Sequence, residues 1–294
     1  MDADLSRLTA HVAELARAPR LVGSAALEDA RRYVSRHFEE AGWQVEPHPF
    51  AATTEFGWRL EGRNLIARHP ALRGDGDAWF CVGAHVDSIP DCVGADDNAS
   101  AVAALLEIAR LLPERWPAAA RLNVELVAFD LEENGMLGGA EHARLSRAGN
   151  VDLRGMVSLE MLGYCSHEPN SQILPRSLVG MYPDVGNFIA VIGNQNSPPL
   201  IERFAEGMRR AEGLPVETLE VPENGNLLQA TRLSDHSPFW DAGYAALMIT
   251  DTSFLRNPHY HTPGDTPDTL DMDFLQRVTQ GCLEGVRNVV GEGL

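Results

Sequence analysis

Cysteine is scarce in this chain, and basic residues are heavily outnumbered. The four cysteines, Cys81, Cys92, Cys165 and Cys282, form no CxxC pair and no zinc-finger spacing. That argues against a disulfide framework and against a structural zinc ribbon. Cys81 falls in an apolar run and reads as a small buried hydrophobe. No apolar run reaches the roughly 18 residues that a membrane helix needs. The N-terminus shows no basic segment leading into an apolar one, and a cytoplasmic protein is the expectation. Lysine and arginine total 24 against 42 aspartates and glutamates, for a formal net charge of −18. Such a surface repels nucleic-acid phosphates and anionic lipid, so neither is expected as a partner. Glycine, proline and charge fractions are ordinary, which excludes global disorder. With 294 residues and 44% hydrophobic content, the chain can bury a full core.

What is present alternates between two periods. Helical spacing over residues 3–18 sets Leu5, Leu8, Val12 and Leu15 on one face, and residues 25–41 predict a second helix ending at Gly42. Residues 44–50, 64–67, 79–84, 121–129, 155–162, 188–192, 216–221 and 245–250 read as strands. Residues 98–112, 140–148, 199–211 and 270–290 read as helices. Strands alternating with helices imply an α/β protein: one mixed, mostly parallel sheet with helices on both faces. No linker or repeat interrupts the pattern, so residues 1–294 are expected to form one domain. In open sheets of this kind, ligands bind beyond the carboxyl ends of the strands.

Several acidic and imidazole side chains fall at those ends. His85 closes a strand, with Asp87 two residues on, on the same side of an extended chain. A metal-binding imidazole needs such a carboxylate to fix its tautomer. Asp96-Asp97-Asn98 precedes an alanine-rich helix; one acidic residue suffices as a cap, which leaves Asp96 over to bridge two cations. Glu132-Glu133 follows the most hydrophobic strand, and Glu160 interrupts an apolar one, where an unpaired carboxylate is costly. His259-Tyr260-His261 offers imidazoles and a phenol that can donate to an oxyanion. Singly, each has an ordinary explanation as a cap, a solvated loop or a strand-end charge. Asp235-His236 reads most simply as the start of a short helix.

Jointly and in order, these segments resemble the M28 zinc peptidases, which include bacterial leucyl-type aminopeptidases and glutamate carboxypeptidase II. The resemblance rests on GAHVDS (83–88), GADDNAS (94–100), EENGMLGG (132–139), LEMLGY (159–164), SDHSPFWDAGY (234–244) and YHTPGDT (260–266). It implies two zinc ions with His85, Asp96, Glu133, Glu160 and His261 as ligands, Asp96 bridging. It also implies Glu132 as general base and Asp87 as the partner of His85. Tyr260 would assist the oxyanion. The family often carries Asp where this chain has Glu160, and often a cis peptide between the residues matching Asp96 and Asp97. The expected activity is a zinc exopeptidase acting on peptides, most simply an aminopeptidase. A carboxypeptidase, with Arg256 and Asn257 holding a terminal carboxylate, and a glutaminyl cyclase-like enzyme with a single zinc are the alternatives within the fold.

Overall fold

The computed structural model describes residues 2–54 and 56–294. Eight strands join one sheet in the order β1-β2-β4-β3-β5-β8-β6-β7. They are β1 (Gln44–Thr53), β2 (Arg59–Arg68), β3 (Trp79–His85), β4 (Asn123–Phe129), β5 (Leu153–Glu160), β6 (Ile189–Asn194), β7 (Val216–Val221) and β8 (Ala246–Thr250). The central run β4-β3-β5-β8 is parallel. The β1–β2 hairpin joins β4 antiparallel, and β6 runs antiparallel to β8 while pairing parallel with β7. The sheet is therefore mixed, with parallel pairing at its centre, as the strand–helix alternation implies.

Side-chain alternation sorts the strand residues onto two faces. Phe80, Val82 and Ala84 of β3 and Val124, Leu126 and Ala128 of β4 meet helices α1 (Leu5–Leu15), α2 (Ala25–Glu40), α3 (Ala101–Leu111), α5 (Pro198–Met208) and α7 (Met272–Glu292) in one cluster. Cys81, Val127 and Phe129 meet α4 (Leu137–Ala148) and the short α6 (His236–Asp241) in the other. Being covered on both sides, β4 is buried along its whole length, which is why it reads as an unbroken apolar run. Helix starts follow local chemistry. Asp4, Ser24 and Asp271 cap α1, α2 and α7 by accepting first-turn N–H groups. Among the described residues, no helix is long and apolar enough to cross a membrane.

Among the boundaries that depart from the sequence reading, the start of α3 bears most on the site. The alanine-rich helix does not start at Asn98. Residues 95–100 form an irregular turn in which Asp97 (φ −103°, ψ 86°) and Asn98 (φ −135°, ψ 34°) leave the helical region, and regular helix begins at Ala101. Gly94 enters this turn at φ 60°, where a Cβ would lie 2.1 Å from the Asp97 carbonyl oxygen, so only glycine fits. Buried Arg20 holds the approach to the turn. Its guanidinium donates to the carbonyls of Leu15, Val86, Val93 and Gly94 at 2.6–3.0 Å.

Candidate metal centre

The carboxyl ends of β3, β4, β5 and β8 deliver the side chains that converge. His85 is the last residue of β3, and Glu160 the last of β5. Glu132 and Glu133 follow β4, and His261 lies in the segment after β8. Three residues around the cluster have left-handed backbones without being glycine: Leu131 (φ 59°), Met161 (φ 47°) and His261 (φ 55°). Each costs roughly 1–2 kcal/mol. All three sit at or beside a convergent side chain, where strained backbone commonly serves function.

Asp97, not Asp96, occupies the middle. Its Oδ1 lies 3.2 Å from His85 Nε2, and its Oδ2 lies 3.1 Å from His261 Nε2. Glu160 Oε2 approaches His85 Nε2 at 3.6 Å, and Glu133 Oε2 approaches His261 Nε2 at 3.3 Å. Two donor sets result, His85–Asp97–Glu160 and Asp97–Glu133–His261, with Asp97 common to both. Glu132 Oε2 stands beside the first, 4.0 Å from His85 Nε2.

The expectation for Asp96 is thereby corrected by one residue. Its carboxylate turns the other way and is fully engaged. Gly163 N donates to Oδ1 at 2.9 Å and Asn257 Nδ2 to Oδ2 at 2.8 Å, and a hydrogen bond from the Asp251 carboxyl completes the set. Burial and the charge of Asp96 push the Asp251 pKa well above the usual carboxylate range. The cis peptide bond is shifted in the same way and joins Asp97 to Asn98.

A surrounding layer of hydrogen bonds fixes the cluster. Asp87 accepts the N–H of Glu132 on Oδ1 and that of Glu133 on Oδ2, each at 3.1 Å, and its Oδ1 lies 3.5 Å from His85 Nδ1. Asp265 accepts the N–H groups of Asp96 (2.8 Å) and Asp97 (3.1 Å). The Asn98 side chain spans the end of β5, donating to Leu159 O and accepting from Met161 N. Ser234 donates to Glu160 Oε2 at 2.7 Å. Asp265, Asn98 and Ser234 lie inside segments that carry the family resemblance, although the sequence reading assigned them no role. His236 bonds the Thr231 carbonyl at 2.8 Å and packs edge-on against Trp240, a structural use.

The electrostatics are those of an anionic pocket. Burial opposes protonation of His85, but Glu160 and Glu132 outweigh it and push its pKa well above the ordinary value. His261 is likewise held up, to about 10, by Asp97 and Glu133 against its burial. Burial and the Asp97 charge raise Glu133 to about 7. Burial, with Glu160 and Glu133 adding to it, raises Glu132 well above the usual carboxylate range. Asp97 is held low by His261 and His85 despite its burial. Even with both imidazoles protonated, the carboxylates outnumber them.

These residues fit a bound cation. Nε2 of His85 and Oε1 of Glu133 are buried without a hydrogen-bond partner, a cost that ligation removes. Imidazole and carboxylate donors in threes, with a shared carboxylate between them, suit zinc.

Two cavities open on the cluster. One is lined by Asp97, Glu132, Glu133, Glu160, Tyr260 and His261, and is walled by Thr54, Phe56 and Trp58 of the segment between β1 and β2. Tyr260 stacks on His261 with ring centroids 3.8 Å apart. The other cavity is almost wholly apolar. Tyr182, Phe188, Ile192, Leu219, Met248 and Phe254 are among its walls, and it shares Glu160, Leu233 and Ser253 with the first. Arg256 and Asn257, the expected anchors of a substrate carboxylate, are occupied elsewhere. Arg256 bonds Gln172 Oε1 and Phe188 O and lies over the Phe188 ring, and Asn257 bonds Asp96.

A mixed sheet presenting two fused N/O donor sets at its carboxyl edge defines a metal-dependent hydrolase. The chain belongs to peptidase family M28, whose profile matches residues 64–286. It is 35% identical over 232 residues to the uncharacterized protein YfbL of Escherichia coli K12, covering 75% of this chain and 69% of that protein. It is 27% identical over 219 residues to aminopeptidase YwaD of Bacillus subtilis, covering 70% of this chain and only 41% of that longer protein. Solved structures share the fold. The aminopeptidase from Aneurinibacillus sp. strain AM-1 superposes with a TM-score of 0.73 at 17% identity, covering 97% and 93% of the two chains. The Fimbriiglobus ruber glutaminyl cyclase superposes at 0.74 and 20% identity, covering 98% and 96%.

Proposed function

We propose that the chain is a zinc-dependent aminopeptidase that removes N-terminal residues from peptides, using two zinc ions. The observation that carries this reading is the Asp97 carboxylate, one oxygen facing His85 and the other His261. His85, Asp97 and Glu160 would hold one ion; Asp97, Glu133 and His261 the other. Zinc bound there supplies Lewis acidity toward the scissile carbonyl and lowers the pKa of water.

The chain's own groups do the rest. Glu132 takes the proton of the attacking water and returns it to the departing amine as the C–N bond breaks. Asp87 fixes the Glu132-Glu133 backbone, so the base and the neighbouring ligand move as one unit. Tyr260, in the cavity wall beside His261, is the donor for the developing oxyanion. The adjoining apolar cavity supports a preference for large apolar N-terminal residues. The use of Arg256 and Asn257 in internal bonds weighs against a carboxypeptidase.

The test is Glu132→Gln assayed on free and N-acetylated leucyl p-nitroanilide and on a glutaminyl peptide. The reading expects release of p-nitroaniline from the free substrate only. It also expects a loss of roughly 10²–10⁴ in kcat in the variant with zinc retained, the usual worth of a general base. Near-normal turnover in the variant would remove Glu132 from its role. Ammonia and a pyroglutamyl product from the glutaminyl peptide, without amino-acid release, would carry the cyclase reading instead.

A further inference from the structure

The chain leaving β5 runs past the centre, where Gly163 N bonds Asp96, and then turns outward at Cys165. There Cys165, His167 and Asp271 bring one ligand atom each within 4.8 Å of one another. We propose that these three side chains form a second, separate metal site that takes a borderline-soft divalent cation such as zinc.

The geometry carries the proposal. Cys165 Sγ lies 3.8 Å from His167 Nε2. A tetrahedral zinc with bonds of about 2.3 Å to sulfur and about 2.0–2.1 Å to nitrogen sets these atoms roughly 3.5 Å apart, so closure takes only a small movement. His167 Nδ1 lies 3.4 Å from Asn187 Nδ2, and a half-turn of the amide places its oxygen there instead. With the amide oxygen turned toward it, Asn187 accepts the Nδ1 proton and leaves the Nε2 lone pair for the ion. Asp271 caps α7 through Oδ1, which accepts Phe274 N at 2.8 Å, so its other oxygen can ligate without uncapping the helix. Thiolate, imidazole and carboxylate together select zinc or cobalt over magnesium or calcium. Water completes the shell.

A nucleophilic cysteine is the competing use of the same residues, and the state of the thiol opposes it. Burial and the Asp271 charge push the thiol up to about 11, which leaves little thiolate when no cation is bound. Ion binding displaces the thiol proton to solvent as the sulfur–metal bond forms. In the other sulfur-containing cluster among the described residues, Cys81–Glu125–His142, the carboxylate is already engaged: Glu125 bonds His142 at 2.8 Å and Arg68 at 2.7 Å.

Occupancy would tie the 163–186 segment to the start of α7. That segment contributes Gln172, Leu174, Leu178 and Tyr182 to the apolar cavity. The site therefore touches substrate preference, while its existence is independent of the peptidase chemistry.

The centre beside Asp97 contains only nitrogen and oxygen donors, so sulfur ligation has its own optical signature. The metal-free full chain is titrated with Co²⁺ and followed in the near ultraviolet, with bound metal counted by mass spectrometry. The expected result is one equivalent more than in Cys165→Ser, with a thiolate-to-cobalt charge-transfer band that both Cys165→Ser and His167→Ala lose. His167 is exposed, so its variant folds even if the serine variant does not. Absence of the band at saturation, or its persistence in both variants, overturns the proposal.

Discussion

Asp265 Oδ2 accepts the backbone N–H of Asp97 at 3.1 Å, while its Oδ1 takes that of Asp96 at 2.8 Å. A carboxylate from the segment after β8 thus sets the direction in which the Asp97 side chain leaves its turn. Outer partners of this kind are typically worth 10–100-fold in metal affinity. Asp265→Ala is expected to weaken zinc binding by about that factor. Competition against a chromogenic chelator measures it, and unchanged affinity would make Asp265 a purely structural clamp.

Asp96 and Asp97 separate cleanly by experiment. Asp97→Asn is expected to abolish binding of the two proposed ions. Asp96→Asn is expected to retain them while losing about 1–3 kcal/mol of stability, because a buried carboxylate that accepts from Gly163 and Asn257 becomes an amide with a misplaced donor. Metal content and denaturant unfolding on the same preparations give the two readouts. The reverse pattern would return the bridging role to Asp96.

The apolar cavity beside Glu160 predicts where specificity is set. Ala230 forms part of its wall and is half-buried. Ala230→Phe fills that space and should cut kcat/KM for leucyl and phenylalanyl substrates about tenfold or more, with little effect on alanyl ones. A uniform change across the three substrates would mean that the cavity does not receive the side chain.

Two buried histidines predict acid sensitivity. Burial, with His37 adding to it, lowers His11 to about 4, and burial lowers His236 to about 3, from an ordinary 6.5. As pH falls below 6.5 the unfolded chain takes up protons that the folded chain refuses, so stability falls with falling pH. His11 contributes down to about 4 and His236 down to about 3. Each limb has a slope of at most about 1.4 kcal/mol per pH unit. Denaturant unfolding between pH 7 and pH 4 measures it, and His11→Phe should make the slope shallower. An unchanged slope would exclude His11 as the source.

Much of this architecture was legible beforehand because its signals are local. The apolar run of β4, the alanine-rich α3 and the glycine after α2 each declare themselves within a few residues. The convergence of His85, Glu133, Glu160 and His261 was legible only through the order of their segments along the chain. The choice between Asp96 and Asp97 was not legible. Two adjacent aspartates look alike in sequence, and which one faces the cluster depends on the Gly94 turn and on Asp265, residues far apart in sequence that meet only in the fold. The shape of the apolar cavity was hidden for a similar reason. Its walls come from β6, β7, β8 and the irregular 163–186 segment, and no short window contains them.

The family profile matches residues 64–286, and Arg20 lies well before its start. Its buried guanidinium gathers the carbonyls of Leu15, Val86, Val93 and Gly94 at the approach to the turn that presents Asp97. A fragment trimmed to the recognisable peptidase segment would leave those acceptors bare and the turn unsupported. A version cut at the profile's edge would lose α1, α2, β1 and part of β2 together with Arg20, so sheet and metal turn would be expected to fail together.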